Sequence, residues 1–278
     1  MLTSTKELFE HLSDPSWIIF DCRHDTFDHQ RGARVYAESH VPGAHFCPVE
    51  TALAGAKTGT NGRHPLPRPE DFAAFLNRHG VKPDTQIVAY DDAGGQYAAR
   101  FWWVARWIGL NRVSLLDGGW PAWIAENRPI SRDVPSLRGG GTVVARPDAA
   151  HFVTVDVLQA GLEARTLAVI DARTPERFRG ESEPVDPVAG RIPSALNRFF
   201  KLNLNPDHTF RSPAKLRSEF EAMLGGRSPA QVVHQCGSGV TACVNLLAME
   251  HAGLPGSRLY VGSWSEWISD PARPIARG

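Results

Sequence analysis

Residues Val232–Leu254 read VVHQCGSGVTACVNLLAMEHAGL. An apolar run stops at Cys236, glycines and hydroxyl residues follow at once, and a helical pattern begins near Ala242. QVVHQ has the short apolar character of a buried parallel strand, and ACVNLLAMEHAG reads as a helix closed at Gly253. CGSGVT is then a strand-to-helix turn at the carboxyl end of a strand, where open α/β sheets place their ligands. Gly237 and Gly239 let the backbone curl so that successive amides face inward. With the helix N-terminus behind them they form a nest of positive potential. Such a setting favours a thiolate, which is the nucleophilic form of cysteine. Cys236 is therefore read as reactive, with Ser238 and Thr241 adding hydroxyl donors. Cys243 falls inside the helix, and it, Cys22 and Cys47 are read as structural.

The same pattern occurs earlier in the chain. TQIVAYDDAGGQYAARFWWVARWIGL (Thr85–Leu110) lies over AQVVHQCGSGVTACVNLLAMEHAGL. WIIFDCRHDTFD lies over LAVIDARTPERF, SHVPGAHF over GRIPSALN, and VSLLDGGWPAW over LYVGSWSEW, in the same order and at an offset of about 145–150 residues. Each half alternates short apolar strands with helical patterns such as PEDFAAFLNRHG, in which Phe72, Phe75 and Leu76 share a face and Gly80 supplies a left-handed cap. The fold class expected is α/β: two tandem domains, each an open, mostly parallel sheet with helices on both faces. The boundaries read as 1–135 for the first domain, 136–150 for a Gly-, Pro- and Arg-rich linker, and 151–278 for the second. In the first half Asp91 or Asp92 stands where Cys236 stands in the second, so the first domain has no thiol nucleophile there. Trp102, Trp103 and Trp107 fall on one helical segment and are read as core and domain packing.

Composition narrows the function. The 278 residues carry 30 Lys+Arg against 30 Asp+Glu, with no global signature of a nucleic-acid or membrane-surface protein. No apolar run approaches a membrane span, and MLTSTKELFEHLSDPSW lacks the apolar core of a signal peptide, so a soluble cytoplasmic protein is expected. The four cysteines show no C-x-x-C spacing, which suits free thiols in a reducing compartment. No clustered Cys and His ligands are evident in the sequence, so no metal is expected. Cysteine phosphatases also use a strand–loop–helix cysteine, but finish the loop with an arginine. Ala242 and Cys243 occupy that place here, and the bidentate hold on a phosphoryl group is missing.

Along nearly its whole length the chain resembles the tandem rhodanese-domain sulfurtransferases. The marks are HVPGAHF, HPLPRPEDFA, YAARFWW and SLLDGGW in the first half, and DARTPERFRG, CGSGVTA and GSWSEW in the second. CGSGVTA is similar to the loop of 3-mercaptopyruvate sulfurtransferases, whereas animal-type thiosulfate sulfurtransferases put Arg and Lys at Gly237 and Ser238. The resemblance implies that Cys236 takes sulfur from 3-mercaptopyruvate as a persulfide and passes it to cyanide, a small thiol or thioredoxin, without metal or organic cofactor. Thiosulfate as donor, or a sulfur-carrier module serving a protein partner, are the alternatives. The loop residues Gly237, Gly239, Val240 and Thr241 would stabilise the persulfide. Ser238 matches a serine that assists the cysteine, and His64 in GRHPLP matches a histidine that the first half contributes. Glu50 falls near the family's aspartate partner. Arg177 matches a substrate-binding arginine. The family's second arginine falls at Val185, leaving Arg179 or Arg191 as substitutes, and Tyr97 matches a cleft-lining aromatic.

Overall fold

Strands that end on an aspartate organise the molecule. The computed structural model describes residues 1–278. Its first sheet contains β1 (Leu2–Thr3), β2 (Trp17–Asp21), β3 (His45–Phe46), β4 (Gln86–Tyr90) and β5 (Val113–Leu116), in the order β1-β5-β4-β2-β3. Its second contains β6 (Phe152–Val153), β7 (Ala168–Asp171), β8 (Leu196–Asn197), β9 (Val232–Gln235) and β10 (Arg258–Tyr260), in the order β6-β10-β9-β7-β8. All pairings are parallel, with Trp17–Asp21 beside Gln86–Tyr90 and Ala168–Asp171 beside Val232–Gln235. The central strands are buried on both faces, as parallel sheets under helices require. Each sheet belongs to one α/β unit, as the internal repeat implied.

The repeat extends to buried charge. Arg23 donates from Nε and Nη2 to Asp21 at 2.9 and 2.6 Å, and Arg173 does the same to Asp171 at 3.0 and 2.7 Å. Each guanidinium also lies over an indole, Arg23 over Trp120 at 4.4 Å and Arg173 over Trp264 at 4.7 Å. Pairing, hydrogen bonding and stacking together offset the desolvation of both ions.

The helix Gln96–Trp107 buries Trp102, Trp103 and Trp107. In the second unit, Ala242–His251 is buried at every position from Ala242 to Met249. That accounts for its lack of a polar face.

The two units divide the chain unevenly. The first comprises Met1–Gly55, Leu66–Asp148 and Asn205–Phe210, and the second Ala56–Pro65, Ala149–Leu204 and Arg211–Gly278. A segment from each half of the sequence thus belongs to the unit formed by the other half. Much of the Gly- and Arg-rich stretch near residue 140 lies with the first unit, where Asn77 clasps Val143 by both backbone groups at 2.7 and 3.0 Å. No helix is long and apolar enough to cross a membrane.

Candidate active site

β9 delivers the chain to Cys236, which is 2% exposed. The turn after β10 fixes the loop from beside. The Cys236 amide donates to Ser263 Oγ at 3.2 Å, and the amides of Trp264 and Ser265 donate to the carbonyls of Cys236 and Gly237 at 3.0 and 2.9 Å. Gly239 sits at φ 76° against the Val261 carbonyl, a place and a conformation that a side chain would not share. Its amide donates to Cys236 Sγ at 3.1 Å, an interaction that strengthens when the sulfur is anionic. Cys243 braces the loop from below, its thiol donating to the Gly239 carbonyl at 3.3 Å. Val240 and Thr241 offer their carbonyls to the amides of Cys243 and Val244, both at 3.1 Å, and so open the helix.

The first unit supplies an internal control. The Asp91 carbonyl accepts from the Trp120 amide at 2.9 Å, just as that of Cys236 accepts from Trp264. Asp91 is therefore the counterpart of Cys236, while Asp92 pairs with Arg31 at 2.6 Å. The amides of Ala93, Gly95, Tyr97 and Ala98 converge on the Asp91 carboxylate at 2.8, 2.9, 2.8 and 2.9 Å. Burial pushes this carboxyl up, and the amide donors act against that shift. In this fold the turn is a ready-made anion nest.

Ala56–Pro65 completes the second unit beside the cysteine loop. Gly62, at φ 82°, approaches the Gly262 backbone closely, and the Arg63 amide donates to Ser265 Oγ at 3.0 Å. This places His64 Nδ1 2.7 Å from Ser238 Oγ, with both residues buried. Which of the two atoms donates depends on the imidazole tautomer.

Arginines gather at the mouth of the loop. Arg177 donates from Nε and Nη2 to Glu183 at 3.1 and 2.6 Å, and from Nη2 to Asp186 at 3.1 Å. Arg63 joins the other oxygen of Asp186 through Nη1. A β-carbon on Gly237 would stand 2.8 Å from Arg63 Nη2 and 3.4 Å from Arg177 Nη2. Arg63, Glu183 and Asp186 were not anticipated from sequence. The only signal was the position of Arg63 beside His64 in GRHPLP.

The other anticipated arginines are engaged elsewhere. Arg179 is half-exposed and paired with Glu181 at 2.7 and 2.8 Å. Arg191 bridges to Ala276, donates to the Gly278 carbonyl at 2.6 Å and lies over the Phe178 ring. The Val185 amide donates to Glu183 at 3.1 Å.

Glu50 and Tyr97 belong to the first unit. Tyr97 is buried, edge-on to His24 at 5.0 Å between ring centres. One Glu50 oxygen lies 3.7 Å from His24 Nε2 and 3.3 Å from His29 Nδ1. Against the expectation of no clustered ligands, these three side chains bring atoms able to hold a cation within 4.8 Å of one another. Their sequence spacing concealed the grouping.

The arrangement joins a cysteine sulfur with an amide donor, a hydroxyl–imidazole pair able to move a proton, and a pair of arginines whose charges Glu183 and Asp186 balance. Known proteins resemble the chain along its whole length. The rhodanese-like domain family matches residues 4–126 and again 154–270. A probable 3-mercaptopyruvate sulfurtransferase of Pseudomonas aeruginosa is 47% identical over all of this chain and 98% of its own length. A putative thiosulfate sulfurtransferase of Mycobacterium tuberculosis, SseB, is 40% identical over 90% of this chain and 88% of its own. The crystal structure of SseA, a 3-mercaptopyruvate sulfurtransferase of Escherichia coli, superposes with a TM-score of 0.82 at 31% identity, covering 95% of this chain and 98% of that one. The doubled fold, the cysteine nest and these full-length likenesses make the chain a member of the rhodanese-like family of sulfurtransferases, with two tandem copies of the domain.

Proposed function

We propose that the chain moves sulfur from 3-mercaptopyruvate through a persulfide on Cys236 to a thiol, thioredoxin or cyanide acceptor. The observation that carries this reading is the Gly239 amide held on Cys236 Sγ at 3.1 Å beside the Ser238–His64 pair at 2.7 Å. The Cys236 thiolate attacks the donor sulfur, a sulfur–sulfur bond forms and the carbon–sulfur bond breaks. The released electron pair stays on carbon as the enolate of pyruvate. The proton from the donor thiol reaches that carbon, and Ser238 with His64 is the group placed to carry it. Products are pyruvate and the Cys236 persulfide anion, whose outer sulfur is stabilised by loop amides as an oxyanion hole stabilises oxygen. An acceptor thiol or cyanide then takes that sulfur and restores the thiolate.

Thiosulfate is the second reading, favoured by the name of the mycobacterial relative. Intact-mass measurement after treatment with each donor tests both. A gain of one sulfur atom is expected on the wild type and none on Cys236→Ser. Turnover markedly better with thiosulfate would select the second reading, and no adduct with either donor would remove both.

A further inference from the structure

We infer that Arg63 is the residue that takes the donor's anionic group, in place of the arginine absent at position 185. The inference rests on the sulfurtransferase reading and specifies its substrate-binding residue. The edge formed by Nε and one Nη is the part of a guanidinium that grips a carboxylate bidentately. On Arg177 that edge is already on Glu183, through Nε and Nη2. On Arg63 the Asp186 contact uses Nη1. Its Nε is buried without a hydrogen-bond partner, and its Nη2 stands at the Gly237 backbone next to Cys236. The fork left without a hydrogen-bond partner in this site is that of Arg63.

Gly237 makes room for it. With a β-carbon there only 2.8 Å from Nη2, the guanidinium would have to shift away from the loop. A glycine with ordinary φ is needed here for space and not for backbone conformation. Asp186, 2% exposed at its side chain, holds the outer end of both arginines, so the fork is positioned before a donor arrives. Burial disfavours the Arg63 charge, and the attraction of Cys236 is the largest effect opposing it. A partly desolvated cation beside the nucleophile gains when a donor carboxylate completes its hydrogen bonds. Arg179 and Arg191 are committed to Glu181 and to the Gly278 carbonyl.

The test compares wild type, Arg63→Gln, Arg63→Lys and Gly237→Ala in the full chain, with three readouts. These are steady-state kinetics with 3-mercaptopyruvate, calorimetric binding of pyruvate, and alkylation of Cys236 by neutral iodoacetamide. Arg63→Gln should raise KM and weaken pyruvate binding by about 10- to 100-fold, the worth of a charged hydrogen-bonded pair. Its kcat should change far less and Cys236 should still alkylate. Lysine should restore only part of the affinity, because one ammonium cannot serve Asp186 and a carboxylate edge together. Gly237→Ala should reproduce part of the affinity loss with Arg63 still present. Unchanged KM and pyruvate affinity in Arg63→Gln would overturn the inference. So would a loss of alkylation that matches the loss of turnover, since Arg63 would then serve the cysteine and not the donor. A wild type that never forms a persulfide but binds pyruvate through Arg63 would refute the sulfurtransferase reading, and with it the donor, while keeping Arg63 as a carboxylate-binding residue, so the two failures are distinguishable.

Discussion

At the scale of single residues, the strand–turn–helix setting of Cys236 was visible because a strand, a glycine turn and a helix are local grammar. The same loop explains what Ser238 should do. Its hydroxyl is 2.7 Å from His64 Nδ1, and in the proposed reaction it is the group that exchanges a proton with the departing enolate. Ser238→Ala is therefore expected to slow mercaptopyruvate turnover by about 10²-fold or more, the usual worth of a positioned acid–base group. Thiosulfate needs no proton delivered to carbon, so persulfide formation from it should survive the change. Stopped-flow detection of pyruvate, set against mass measurement of the thiosulfate-loaded protein, separates the two. Equal losses with both donors would mean that Ser238 holds the loop and moves no proton. Arg63, by contrast, was not legible from the loop. It is remote in sequence from Cys236, and nothing in the pattern around GRHPLP tells which unit it joins. Its role emerges only from a pair of atoms, the β-carbon that Gly237 lacks and the Nη2 that fills the space.

At the scale of elements, β2, β4, β7 and β9 were readable because each is a run of apolar residues bounded by polar turns. The edge strands β1, β3, β6 and β8 are two residues long and carry no periodicity to read. The central strand β9 pays for its position with a histidine. His234 is fully buried, its Nε2 against the Met249 sulfur at 3.1 Å and its Nδ1 without a partner. Burial lowers it from an ordinary 6.5 to about 3. In the first sheet, burial and the neighbouring His79 lower His45 to about 4. Both are neutral when folded and take up a proton when unfolded in mild acid. The unfolded chain then binds more protons, so stability is complete above pH 6.5 and falls as pH drops toward 4. The slope is about 1.4 kcal/mol per pH unit for each histidine. Denaturant melts of the wild type and His234→Leu between pH 7 and 4.5 check this. The variant should lose about one such increment of slope, and parallel curves would show that His234 does not titrate on unfolding.

At the scale of the whole molecule, the doubling of the fold was plain in the sequence, but the traffic of segments between its halves was not. Periodicity and turn signals act over short range, whereas unit membership depends on contacts between distant segments. Ala56–Pro65 belongs with the second unit and carries Arg63 and His64, while Asn205–Phe210 belongs with the first, where the Phe210 amide donates to Asp117 at 2.8 Å. The two segments should therefore fail in different ways. Replacing residues 56–65 by a Gly/Ser run of equal length removes the histidine from Ser238 and the unpartnered fork from Gly237. It also leaves the buried Asp186 with Arg177 alone. Mercaptopyruvate turnover should fall by more than about 10²-fold, because proton transfer and donor binding are lost together. Replacing residues 205–210 in the same way removes the Asp117 contact and the buried Phe210 ring. It should lower the melting temperature by several degrees, about what 1–2 kcal/mol does in a domain of this size. It should also leave KM for the donor near the wild-type value, since none of the loop, histidine or arginine contacts involve it. Calorimetry and kinetics on the two full-length variants decide the matter. If the 56–65 replacement retained wild-type turnover, the second unit would be complete without the first half's segment, and the site would have to be assigned to residues after 148 alone.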